Sequence, residues 1–110
     1  MVMPIAKIRA RLEANRPGAH DKPEEWPAVR LFTPLAESAW LLSQIDAHDP
    51  DKAFGLCDEG EGSPHLGQVS LQDLASRFGH LSVRWDPDFK ADRPLSSYAA
   101  DARKTGRIRS

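Results

Sequence analysis

Asp58-Glu59-Gly60-Glu61-Gly62 puts three carboxylates on a glycine-rich turn, with His65 a few residues beyond. Carboxylate oxygens on a flexible loop can hold a hard cation such as Mg²⁺ or Ca²⁺, and a neighbouring imidazole can serve as ligand or base. The spacing lacks the ligand ladder closing on a glutamate that an EF-hand loop requires. Two readings remain. In one, Asp58, Glu59 and Glu61 form a solvated acidic turn, either of no further role or serving as contacts to a partner. In the other, Asp58, Glu61 and His65 converge on a cation in a small metal-assisted enzyme acting on nucleic acid. The first is preferred, so no residue is assigned as catalytic or as a metal ligand, and no cofactor is expected.

The remaining reactive side chains are arranged for structure. His20, His48, His65 and His80 are scattered, with no pair one helical turn apart and no two-histidine, one-acid spacing. Cys57 follows apolar residues on an expected strand and reads as a small buried hydrophobe. Ser38, Ser70 and Ser96 fall at turns or caps and lack the Gly-x-Ser-x-Gly elbow of hydrolases. Gly55, Gly60, Gly62 and Gly67 are too irregular for a phosphate or dinucleotide fingerprint.

A second charged feature is the basic tail Arg103, Lys104, Arg107 and Arg109. Cations there complement a helix C-terminus and could also meet phosphates or an acidic protein surface. Aromatic residues, which a single-strand stacking platform needs, do not interleave with it. Charge is segregated although the net charge is only −1: residues 1–16 carry four cations and one anion, residues 46–73 seven acids against Lys52, and residues 103–110 four cations. Opposite charges so placed attract within a fold or remain separately solvated.

The elements that must position these groups can be read from periodicity. Ile5, Ile8 and Leu12 mark an amphipathic helix over 4–15, with Pro4 suited to its first turn. Arg16 to Ala28, with its prolines, predicts an extended connection anchored by Trp26. Val29–Thr33, Ala39–Asp46 and Ala53–Asp58 read as strands joined by links too short for a helical crossover, hence an antiparallel meander. On the second strand Leu41 and Ile45 are expected on one face and Trp40 and Leu42 on the other. After the glycine-rich segment 60–67, Ser70 caps a helix in which Leu71, Leu74, Ala75 and Phe78 form one apolar stripe, closed by Gly79. Leu81, Val83 and Trp85 alternate as a fourth strand, and Pro94 precedes a last helix with Leu95, Tyr98, Ala99 and Ala102 on one side and Gly106 as its stop.

The expected class is α+β: a small, mostly antiparallel sheet of about four strands with N-terminal, middle and C-terminal helices. At 110 residues the chain fits one domain, 1–28 forming a helix and connection and 29–110 the core. A single cysteine excludes an internal disulfide and any zinc site needing two thiolates. The charged N-terminal stretch has no apolar signal-peptide core and no run is long enough to span a bilayer, so a cytoplasmic protein without membrane association is expected.

The ordered series Leu31-Phe32-Thr33-Pro34, Trp40-Leu41-Leu42 with Ile45-Asp46, Asp49-Pro50-Asp51 and Ala53 to Asp58 resembles the bacterial domain of unknown function 2958 family. Leu66-Gly67, Val69-Ser70-Leu71 and Pro94 to Ala99, continuing through Ala102-Arg103 and Gly106-Arg107-Ile108, extend it. Departures lie mainly in Glu59 to His65 and Ser82 to Asp88. The resemblance implies no reaction. It implies an accessory protein of plasmids, phages and other mobile elements, directed at a protein of host defence or DNA maintenance, with anti-CRISPR or anti-restriction activity as the concrete form. Asp58, Glu59, Glu61, Arg103, Lys104, Arg107 and Arg109 are the candidate contacts; direct DNA binding by the tail is a further alternative.

Overall fold

The computed structural model describes residues 4–14, 26–60 and 62–108. It contains α1 (Ile5–Ala14), β1 (Val29–Phe32), β2 (Ala39–Ile45), β3 (Lys52–Asp58), β4 (His65–Ser70), α2 (Leu71–Ala75), β5 (Arg84–Asp86) and α3 (Leu95–Thr105). The strands form one sheet in the order β4-β3-β2-β1-β5, every neighbouring pair antiparallel. The α+β class and the three helices are as expected from the sequence. The sheet has five strands, not about four.

The additional strand is β4, which occupies part of the segment read as a glycine-rich connection. Its pattern is weak because Gly67 sits in mid-strand, and glycine costs backbone entropy there. Pairing decides the outcome: Gly67 lies opposite Gly55, Leu66 opposite Leu56 and Val69 opposite Ala53.

Both faces of the sheet are covered. Ile8 and Leu12 of α1 and Leu71 and Leu74 of α2 pack with Val29, Leu31, Trp40, Leu42, Ile45, Ala53, Cys57 and Val83 on one face. Leu95, Tyr98, Ala99 and Ala102 of α3 pack with Leu41 and Leu56 on the other. Each leucine or isoleucine so buried stabilises the fold by about 1.5–3 kcal/mol relative to exposure. Ile45 therefore shares its face with Trp40 and Leu42, not with Leu41 as simple alternation predicts. A bulge between Leu42 and Gln44 inserts a residue into β2, and one extra residue reverses every side chain beyond it.

Helix ends follow local chemistry. The Ser70 hydroxyl accepts from Asp73 N–H at 3.1 Å and itself donates to the Asp51 carboxylate. Asp51 also accepts Gln72 N–H at 2.8 Å, so the β2–β3 turn completes the cap of α2. These two bonds hold the Asp51 carboxyl below its ordinary pKa. Gly106 ends α3 at φ 80°, the left-handed conformation that glycine adopts without strain.

Two other expectations are corrected. The middle helix stops at Ala75, with Ser76 as its cap, so Phe78 is 84% exposed and does not continue the apolar stripe. Residues 76–83 instead carry the chain from the β4 side to the β5 side of the sheet, through a single 3₁₀ turn at Gly79–Leu81. Only Val83 of this crossing reaches the core, leaving β5 shorter than the alternation of 81–86 suggested. Trp26 is half exposed, and Pro27 beside it is buried. Most of the expected extended connection lies outside the described residues.

Candidate functional site

The strand registers gather three loops at one end of the sheet. Phe32, the last residue of β1, opposes Ala39, the first of β2, and Arg84, the first of β5; Ala39 also opposes Asp58, the last of β3. The β1–β2 turn, the β3–β4 turn and the segment entering β5 therefore share that end. The C-terminus of α3 reaches it too: a Cβ added to Gly106 would lie 3.5 Å from the Gly62 carbonyl oxygen.

Asp58 is the hinge of this arrangement. It follows Leu56 by two residues and so points to the α3 face, where it is 2% exposed. One carboxylate oxygen accepts Gly60 N–H at 2.9 Å, shaping the acidic turn, and the other accepts Ile108 N–H at 3.0 Å, holding the tail. A carboxylate removed from water requires such donors, and charge-assisted bonds of this type are the stronger ones. Beside it Arg107 pairs with Glu37 at 3.1 Å, and Arg77 bridges Glu59 at 3.2 Å and Asp73 at 3.3 Å. Burial depresses the Arg77 guanidinium pKa, but the bonds to Glu59 and Asp73 outweigh it and raise the net value. The acidic turn and the tail thus meet through the Asp58 carboxylate and the Ile108 amide, while the ion pairs beside them join Arg107 to Glu37 and Arg77 to Glu59 and Asp73, exposed pairs each worth about 0–1 kcal/mol.

The packing leaves out large apolar side chains on the β1–β2 turn, Leu35 (74% exposed), and on the crossing toward β5 that follows Arg77, Phe78 (84%) and Leu81 (48%). A surface of this composition, apolar groups bordered by both signs of charge, suits contact with another macromolecule.

A sequence model of the family described as "Protein of unknown function (DUF2958)" matches residues 4–109. The chain belongs to this family. No curated protein and no solved structure matches it. In this DUF2958 member, the residue blocks quoted above map onto β1, β2, the β2–β3 turn with Asp51, β3 through Asp58, β4 and α3. They comprise the four strands β1 to β4, the cap of α2 and the clasp on the tail, while β5 falls in the departing stretch Ser82 to Asp88.

Each candidate contact now has a place. Asp58 is inside and engaged on both oxygens. Glu59 is exposed and held by Arg77; Arg103 and Lys104 are exposed on the last turn of α3; Arg107 reaches Glu37. Glu61 and Arg109 lie outside the described residues, as does His20. His48 and His80 are exposed. His65 directly opposes Cys57, and opposed residues in an antiparallel pair share a face, so His65 and Asp58 point to opposite faces of the sheet. Asp58 and His65 therefore do not converge, and among the described residues no group of three or more His, Cys, Asp or Glu side chains is arranged to hold a metal ion. Cys57 is 2% exposed and burial pushes its thiol up to about 11. No described helix is long and apolar enough to cross a membrane.

Sequence reasoning missed Leu35, Phe78, Glu37 and Arg77. Phe78 fits the helical stripe by spacing, which is why it was assigned to the core. Leu35, the one large apolar side chain inside the Pro34–Ser38 link, is the signal in the sequence that this turn carries more than a connection.

Proposed function

We propose that this protein is a non-enzymatic protein-binding factor that engages its partner with the end of the sheet where the acidic turn and the basic tail meet. The observation that carries the reading is Phe78, a full aromatic ring 84% exposed on the crossing toward β5, with Leu81 also exposed on that crossing and Leu35 exposed on the β1–β2 turn that bears Glu37. Aromatic side chains anchor protein interfaces because they bury large area with few rotatable bonds, while surrounding charges select the partner and its orientation. The resemblance described above supports the finer form: an accessory factor of a bacterial mobile element, its partner a cytoplasmic protein of host defence or DNA maintenance, with anti-CRISPR or anti-restriction inhibition as the activity.

The test is affinity capture by the immobilised chain from a bacterial host lysate, followed by binding of the retained protein to Phe78→Asp and Leu35→Asp variants. The expected outcome is a partner retained at micromolar concentration and weakened at least about tenfold by either change. Retention of nothing, or of a protein bound equally by both variants, would refute this surface as the site.

A further inference from the structure

The two outer edges of the sheet are built differently. Thr33 N–H bonds to the Ser38 carbonyl at 3.0 Å, which fixes alternate residues of β1 on β2 and leaves Arg30 and Phe32 to bond Asp86 and Arg84. On the β5 edge only Trp85 then turns its backbone outward, between Arg84 and Asp86 and just before Pro87. Shortness, charge and proline are the devices that keep an edge from pairing. The β4 edge has none of them within its six residues: no Lys, Arg, Asp, Glu or Pro occurs from His65 to Ser70.

The direction of its backbone groups follows from the register. Leu71 N–H donates to the Asp51 carbonyl at 2.9 Å, so the pairs exchanging bonds are Ala53 with Val69, Gly55 with Gly67 and Cys57 with His65. Leu66 and Gln68 consequently direct N–H and C=O away from β3, and no strand lies outside them among the described residues. The Gln68 side chain turns back toward β2, donating to Asp46 at 3.3 Å, and leaves the main-chain edge clear.

We propose that the β4 edge is a docking site for the β4 edge of a second copy of this chain, the two strands pairing antiparallel about a two-fold axis at Gly67. This register sets Leu66 opposite Gln68 of the second copy and the reverse, so that these outward-facing residues of each strand are satisfied in two bonded pairs. Gly67 meets its own counterpart on the axis at the closely spaced, non-bonded position, where neither copy brings a side chain. The charge pattern fits the same occupant. The strand's one ionisable side chain, His65, lies opposite Val69 of the second copy, so self-pairing sets no like charges directly opposite one another. This surface is the main-chain edge of β4, to which Phe78 contributes no strand residue, and it does not depend on the function proposed for the Phe78 end.

Sedimentation of the full chain from about 1 to 300 µM tests it, a range that spans dimers of micromolar affinity. The wild-type protein is expected to reach the mass of two chains. Gln68→Pro removes an N–H that β3 does not use, so it should leave the monomer folded while weakening the dimer at least about tenfold. Phe78→Asp should leave the dimer unchanged. A wild-type protein that stays at one-chain mass throughout overturns the proposal, as does a Gln68→Pro dimer of undiminished affinity or a dimer dissolved by Phe78→Asp. If circular dichroism shows Gln68→Pro unfolded, Gln68→Lys decides in its place: two ammonium groups brought near the axis must weaken the dimer, and an unchanged dimer overturns the proposal.

Discussion

Gly55 shows how much one residue position can carry. Its backbone sits against the bulged part of β2, and a Cβ there would strike the Leu41 carbonyl oxygen and come within 2.7 Å of Leu42 Cα. The bulge that turns Ile45 into the core and the glycine that tolerates it are thus one device. Gly55→Ala must displace backbone, not a flexible side chain, so a loss of about 3 kcal/mol or more is expected, read as a lower denaturant midpoint or failure to fold. Cys57, two residues along, makes a pH prediction. Burial raises its thiol from 9.0 to about 11, so the folded state keeps its proton where the unfolded state loses it. The stabilisation is complete below pH 9 and is lost as pH rises toward 11. The Tyr98 hydroxyl also has its pKa raised, chiefly by burial, so the readout is a difference. Wild type should lose more melting temperature across that window than Cys57→Ala.

Among the elements, the tail after α3 has one buried anchor, the Asp58 carboxylate, beside the exposed Arg107–Glu37 pair. Asp58→Ala would leave Gly60 N–H and Ile108 N–H without their acceptor, a cost of about 1–3 kcal/mol for each that stays buried. The tail can swing out and regain water, so part of that cost converts into release. Amide exchange should show Ile108 losing protection in Asp58→Ala while the β2–β3 ladder keeps its own. The same scale explains which elements were legible. The helices at Ile5–Ala14 and Leu95–Thr105 carry 3.6-residue stripes with Pro4 or Pro94 before them and, for the latter, Gly106 after. The α2 helix was legible at its start, because Ser70 and Asp73 form a local cap, but not at its end. Leu71, Leu74 and Phe78 keep helical spacing whether or not the helix continues, and the packing of Val83 settles where the chain leaves it.

For the whole molecule, opposite charges separated in sequence are neighbours in space. Glu37 and Arg107 are seventy positions apart and 3.1 Å apart. The acidic turn and basic tail were legible as features, but the acid that meets Arg107, Glu37, lies outside the acidic segment, and the turn holds the tail through a backbone amide instead. The apolar surface beside them was not legible, since no local rule distinguishes an exposed Leu35 or Phe78 from a buried one. Because these side chains pack against little, Phe78→Asp and Leu35→Asp should each change stability by no more than about 0.5 kcal/mol. Any larger effect on binding would then belong to the surface itself and not to the fold.

By itself the sequence determined the α+β class, the antiparallel meander through β1, β2 and β3, the two long helices, the cap at Ser70 and the stop at Gly106. These depend on side-chain period, on link length and on residues that satisfy backbone groups a few positions away, all of which are local. Tertiary structure decided that a glycine-interrupted segment becomes β4, that a bulge reverses the end of β2, and that Asp58 turns inward to hold the tail while His65 faces the other way. Those outcomes depend on which strand lies opposite and in what register. Pairing between distant segments sets that register, and it leaves no periodic trace along the chain.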